Sequence, residues 1–76
     1  MFQRITSNTE ILGGKPIIRG TRISVEFILD LIASGATGAE IVVRYPQLTA
    51  EDVRQALGYA AASIRNEVLL QAEVIG

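Results

Sequence analysis

Apolar positions fall into two regimes along the 76 residues. Up to Ile23 they come singly or in pairs, as Phe2, Ile5, Ile11-Leu12 and Ile17-Ile18, separated by turn-forming stretches such as Ser7-Asn8-Thr9 and Gly13-Gly14. From Val25 onward they recur every three or four residues. The first regime reads as weakly extended chain and the second as helix. Within the first, Gly13-Gly14-Lys15-Pro16 leads into Ile17-Ile18 and then Arg19-Gly20-Thr21-Arg22. Glycines supply the positive φ that tight turns need, Pro16 lacks an amide hydrogen and suits an edge or turn, and the isoleucine pair gives a short strand something to bury. A basic β-hairpin is expected there.

The helices carry their own punctuation. Ser24 can cap the first, Glu26 sits in its positive first turn, and Ile23 is placed to staple against Ile28. Val25, Ile28, Leu29 and Ile32 form a buried stripe, with Phe27 and Leu31 on a second face. Gly35 supplies a left-handed stop, and Thr37 with Glu40 spells a capping box for a second helix from Gly38 to Arg44 or Tyr45, ended by Pro46. Two turns of helix are unstable alone, so Ile41 and Val42 must pack on neighbours. Thr49 caps the third helix with Asp52 at the box position, and Leu48 is placed to staple against Val53. That helix is expected from Ala50 to about Glu73, roughly 36 Å at 1.5 Å per residue. Val53, Ala56, Leu57, Ala60 and Ile64 form its expected core stripe. Gly58, beside Ala60, Ala61 and Ala62, costs about 1 kcal/mol against alanine and would let another backbone approach closely. The expected organisation is one domain: a hairpin arm over 1–23, a three-helix unit over 24–62 and a helical tail over 63–76.

Composition narrows the chemistry. With no cysteine and no histidine, disulfides, thiolate or imidazole zinc sites and histidine general bases are absent, and no cofactor or enzymatic activity is expected. Adjacent Glu51 and Asp52 diverge by about 100° on a helix and suit N-terminal capping better than paired acid/base work. Gly13-Gly14-Lys15 lacks the spacing of a phosphate-binding loop. The apolar fraction of 49% is high for a chain this short, and its surplus points to a subunit or partner interface, most simply a homodimer. Net charge is −1, but residues 1–22 hold four cations against one acid while residues 23–76 hold three arginines against seven acids. The basic end is the hairpin. Neither a signal pattern nor an uncharged apolar run of about 18 residues is present, so no membrane span and a cytoplasmic location are expected.

A short helix, a turn through Pro46-Gln47-Leu48-Thr49 and a longer helix match the helix-turn-helix arrangement, with three-helix packing without DNA as the plain alternative. If the third helix reads DNA, Thr49, Arg54 and Gln55 are its first contacts, although Glu51 and Asp52 would repel phosphate. Lys15, Arg19 and Arg22 are candidates to hold phosphate or to fork onto carboxylates.

The run from Ile11 to Gly35, with Tyr45-Pro46-Gln47-Leu48-Thr49 and Ala56-Leu57-Gly58-Tyr59-Ala60 downstream, resembles the bacterial domain of unknown function 433 family over about residues 5–62. The Gly-Gly-Lys-Pro and Gly-Thr-Arg pairing is its most specific feature. The resemblance implies a mainly α, homeodomain-like three-helix unit with a short N-terminal β-hairpin. It also implies an antitoxin of a type II toxin–antitoxin pair, binding a PIN-like nuclease toxin and operator DNA. On that reading the tail residues Val68, Leu69, Leu70 and Val74 supply apolar area for the toxin, and Arg65 approaches its acidic groups. A stand-alone DNA-binding regulator and a dimerisation module are the alternatives.

Overall fold

The computed structural model describes residues 2–67. Two short strands, β1 (Ile5–Thr6) and β2 (Ile17–Ile18), pair antiparallel with Ile5 opposite Ile18 and Thr6 opposite Ile17. A single 3-10 turn, Leu12–Gly14, lies between them. Three helices follow: α1 (Val25–Ala33), α2 (Gly38–Arg44) and α3 (Ala50–Glu67). The chain is therefore mainly α, a three-helix unit of helix-turn-helix type carrying an N-terminal hairpin, as the sequence implies.

The strands are short, yet β2 is bonded on both sides. The Arg19 amide donates to the Arg4 carbonyl, while the Ile18 amide donates to Ile23 and the Val25 amide to Pro16. Between these, Gly20 at φ +80 turns the chain, and the Thr21 amide closes the turn on the Ile18 carbonyl at 3.0 Å. An L residue is strained at that φ. The same ladder delivers Ser24 to the start of α1, where its hydroxyl accepts from the Phe27 amide at 2.9 Å.

Each helix boundary follows its local chemistry. Gly35 at φ +107 lets its own amide reach Ile32 and the Ala36 amide reach Leu31, the pair of bonds that satisfies carbonyls at a helix C-terminus. Thr37 and Glu40 exchange both bonds of a capping box, and Thr49 and Asp52 do the same at α3. The core comprises Ile18, Val25, Ile28, Ile41, Leu48, Val53 and Ala56. Both α1 and α2 pack on α3, and β1 lies against α3 as well.

Two expectations about α3 need correction. Over residues 50–65 its buried positions are Asp52, Val53, Gln55 and Ala56, whereas Leu57 (39% exposed) and Ile64 (53% exposed) face out. The seam of α3 is thus rotated away from the all-apolar stripe, because the hairpin fills one side of it with polar partners. Gly58 does admit a close approach, but by a ring rather than a backbone: an added Cβ would lie 3.0 Å from Phe2 Cε1. Phe2 also meets Tyr59 edge to face at 5.8 Å. Residues 68–76, and with them the expected end of the third helix, lie outside the described residues.

Candidate functional site

The hairpin and the first turns of α3 form one surface, joined by a contact that local sequence patterns do not encode. Arg4 Nε donates to Asp52 Oδ1 at 2.6 Å, and the Arg4 amide donates to Gln55 Oε1 at 2.8 Å. Asp52 is fully buried. Its other oxygen accepts from the Thr49 amide at 3.0 Å, so the same carboxylate caps α3 and anchors the arm. Burial alone would raise the Asp52 carboxyl. The hydrogen bonds and charge of Arg4 and the bonds of Thr49 outweigh it and hold the group below its ordinary range. Sequence patterns point to neither Arg4 nor the burial of Asp52, since capping already accounts for an acid at that position.

This latch decides what the expected DNA contacts can do. Thr49 spends its amide and hydroxyl on the cap. Arg54 is paired with Glu51 through Nε at 3.1 Å and through Nη2, and Glu51 is held below the usual carboxylate range, first by Arg54 and then by Gln55. Gln55 is turned inward. It is 7% exposed, accepts from Arg4 and donates to Glu51, so its amide faces the hairpin and is not presented as a base-reading group. Arg65 lies exposed near the end of α3. Val68, Leu69, Leu70 and Val74 lie outside the described residues.

On the hairpin, Lys15 Nζ meets Glu26 Oε1 at 2.7 Å, an exposed pair that raises the lysine and lowers the glutamate through their shared hydrogen bond. Arg19 Nε donates to the Gln3 carbonyl at 2.8 Å. Arg22 has no hydrogen-bond or ion-pair partner among the described residues. It stands between two concavities. One, of about 420 Å³, is lined by Leu12, Lys15, Arg22, Ile23, Ser24 and Phe27. The other, of about 450 Å³, includes Thr6, Ser7, Asn8 and Thr21. Leu12 is unusual: its φ is +51, a left-handed conformation costing an L residue about 1–2 kcal/mol, yet its side chain stays 49% exposed. Phe27 is also exposed on one side and meets Tyr45 edge to face at 5.5 Å.

Among the described residues no group of three or more Asp, Glu, His or Cys is arranged to hold a metal ion, and no helix is long and apolar enough to cross a membrane. The fold and this surface define a small helix-turn-helix-type domain with a latched basic hairpin. Residues 5–60 match the family model described as "Protein of unknown function (DUF433)", and the chain belongs to that family. The crystal structure of a DUF433 member from Anabaena variabilis is similar, with a TM-score of 0.77 and 33% identity over 83% of this chain and 62% of that one. The chain is also 39% identical over 59 residues to an uncharacterized protein of Sinorhizobium fredii, y4eO. That match covers 78% of this chain but only 27% of y4eO, so the chain spans about a quarter of that relative.

Proposed function

We infer that the protein is the antitoxin of a type II toxin–antitoxin pair, a cytoplasmic, non-enzymatic homodimer that neutralises a PIN-like nuclease toxin. The observation that carries the reading is the uncovered apolar face of α3. Leu57, Ala61 and Ile64 recur at helical spacing and are all exposed. They form a ready surface for a second copy or for the toxin, with Arg65 beside it to meet acidic groups. In sequence the stripe runs on toward Val68, Leu69, Leu70 and Val74.

Operator binding belongs to the same proposal and rests on the hairpin, where Arg19 is exposed. Base reading by α3 has less support, since Gln55 is turned inward and Glu51 fronts the first turn. That arrangement also disfavours a stand-alone regulator that reads DNA through α3.

The test is titration of the purified chain into the PIN-like product of a neighbouring reading frame, followed by calorimetry and by nuclease activity. Stoichiometric binding with loss of activity is the expected result. Full nuclease activity at saturating antitoxin would overturn the reading. Light scattering checks the dimer: a monomeric mass at micromolar concentration removes it.

A further inference from the structure

We propose that the cleft between the 3-10 turn and α1 is a docking site for a peptide segment of a partner protein, one that places a carboxylate side chain next to a bulky aliphatic or aromatic one. The assignment concerns the hairpin side of the molecule rather than the α3 stripe and stands apart from the toxin reading. Its walls are Leu12, Ile23 and Phe27, and its rim carries Lys15 and Arg22.

Three features converge on that occupant. Arg22 is a guanidinium with no intramolecular partner among the described residues, presented as a planar fork that matches a carboxylate. Lys15 adds a second positive charge, in an ion pair with Glu26 of which both members are exposed. Leu12 holds a left-handed backbone without burying its side chain in the core, so the strain places an apolar group on the surface beside these cations. A phosphate backbone would satisfy the cations but would leave Leu12, Ile23 and Phe27 uncovered. An acidic segment with an adjacent apolar anchor satisfies both.

The experiment uses the full chain, labelled with nitrogen-15, and a panel of short capped peptides in which one aspartate is flanked by leucine or phenylalanine at each neighbouring position. Saturable shifts at Leu12, Ile23 and Phe27 are expected from at least one peptide, and its asparagine counterpart should bind roughly tenfold more weakly. Arg22→Gln should remove that preference for aspartate. Leu12→Asn should weaken both peptides alike while the spectrum stays dispersed, because asparagine tolerates a left-handed backbone. The proposal is overturned if no peptide gives saturable shifts, if aspartate and asparagine peptides bind equally, if the shifts map instead to the α1–α2 groove lined by Leu31, Ala39, Val43 and Tyr45, or if inorganic phosphate alone reproduces them.

Discussion

The two flanks of α3 are held by different physics. Toward α1 and α2 it presents Val53 and Ala56 to a core containing Ile28, Ile41 and Leu48. Toward the hairpin it presents Asp52 and Gln55, whose partners on Arg4 lie 48 and 51 residues away in sequence. Apolar packing is strong but only weakly directional, so it sets how firmly the helices associate. The hydrogen bonds on the other flank are directional and partly buried, with Asp52 itself fully so, and they set where the arm sits and penalise any shift that leaves Asp52 unpaired. One flank supplies stability, and the other supplies register.

Removing the centre of the apolar flank should have the largest effect. Ile28→Ala deletes a fully buried side chain and should cost about 2–5 kcal/mol, comparable with the roughly 3–5 kcal/mol that a core of this size supplies. Circular dichroism during urea unfolding should show the cooperative transition lost or moved far toward zero denaturant. An unmoved midpoint would mean that the domain is not held from this flank.

Asp52→Asn probes the other flank and should cost about 1–3 kcal/mol at neutral pH, because the amide keeps some capping capacity but loses its charge-assisted bond to Arg4. The pH dependence is the sharper readout. The folded protein holds Asp52 below its ordinary range, so the unfolded chain binds the proton more readily and acid favours unfolding. The contribution is complete above about pH 5, falls as pH drops through the unfolded value near 3.9, and is gone below the folded value. The variant should flatten this acid limb, leaving the slope from Glu26, Glu40 and Glu51, which are also lowered. An unchanged acid limb would show that Asp52 is not the carboxylate of the latch.

The contrast between the flanks also explains what the sequence discloses. Helix starts at Ser24, Thr37 and Thr49 and the stop at Gly35 are legible because a cap joins residues three to five positions apart. Lys15, Arg19 and Arg22 are legible as hairpin cations, but not that Lys15 and Arg19 are bonded within the chain while Arg22 has no partner among the described residues. Arg4 was invisible as a partner for Asp52, since a bond spanning 48 residues has no spacing to recognise. The misplacement of Leu57 and Ile64 has the same origin. Apolar periodicity assumes that the buried face is apolar throughout, and Asp52 with Gln55 break that assumption.

A smaller effect separates the two kinds of glycine. Gly20→Val forces a β-branched side chain onto φ +80 and should cost about 1–2 kcal/mol or more. At Gly38 an added Cβ would meet Val53 Cγ1 at an ordinary 3.7 Å, so Gly38→Ala should be neutral or stabilise by about 0.4–1 kcal/mol. Denaturant midpoints moving in opposite directions would locate the backbone constraint in the hairpin. Equal shifts would refute it.

The smallest effect tests whether the arm is seated on α3 by an apolar contact as well as by the polar latch. Gly58→Ala should gain about 0.8–1 kcal/mol of helix propensity. Its Cβ, however, would lie 3.0 Å from Phe2 Cε1, tighter than ordinary contact, so the ring must shift against Tyr59. The two effects oppose each other, and the single variant should change stability by less than about 0.5 kcal/mol. In a Phe2→Ala background nothing obstructs the new methyl, and the same substitution should show its full helix gain. A double-mutant cycle should therefore return a coupling of roughly 0.5–1 kcal/mol. Additive variants would mean that Phe2 does not rest on Gly58, leaving Arg4, Asp52 and Gln55 to hold the start of the chain against α3.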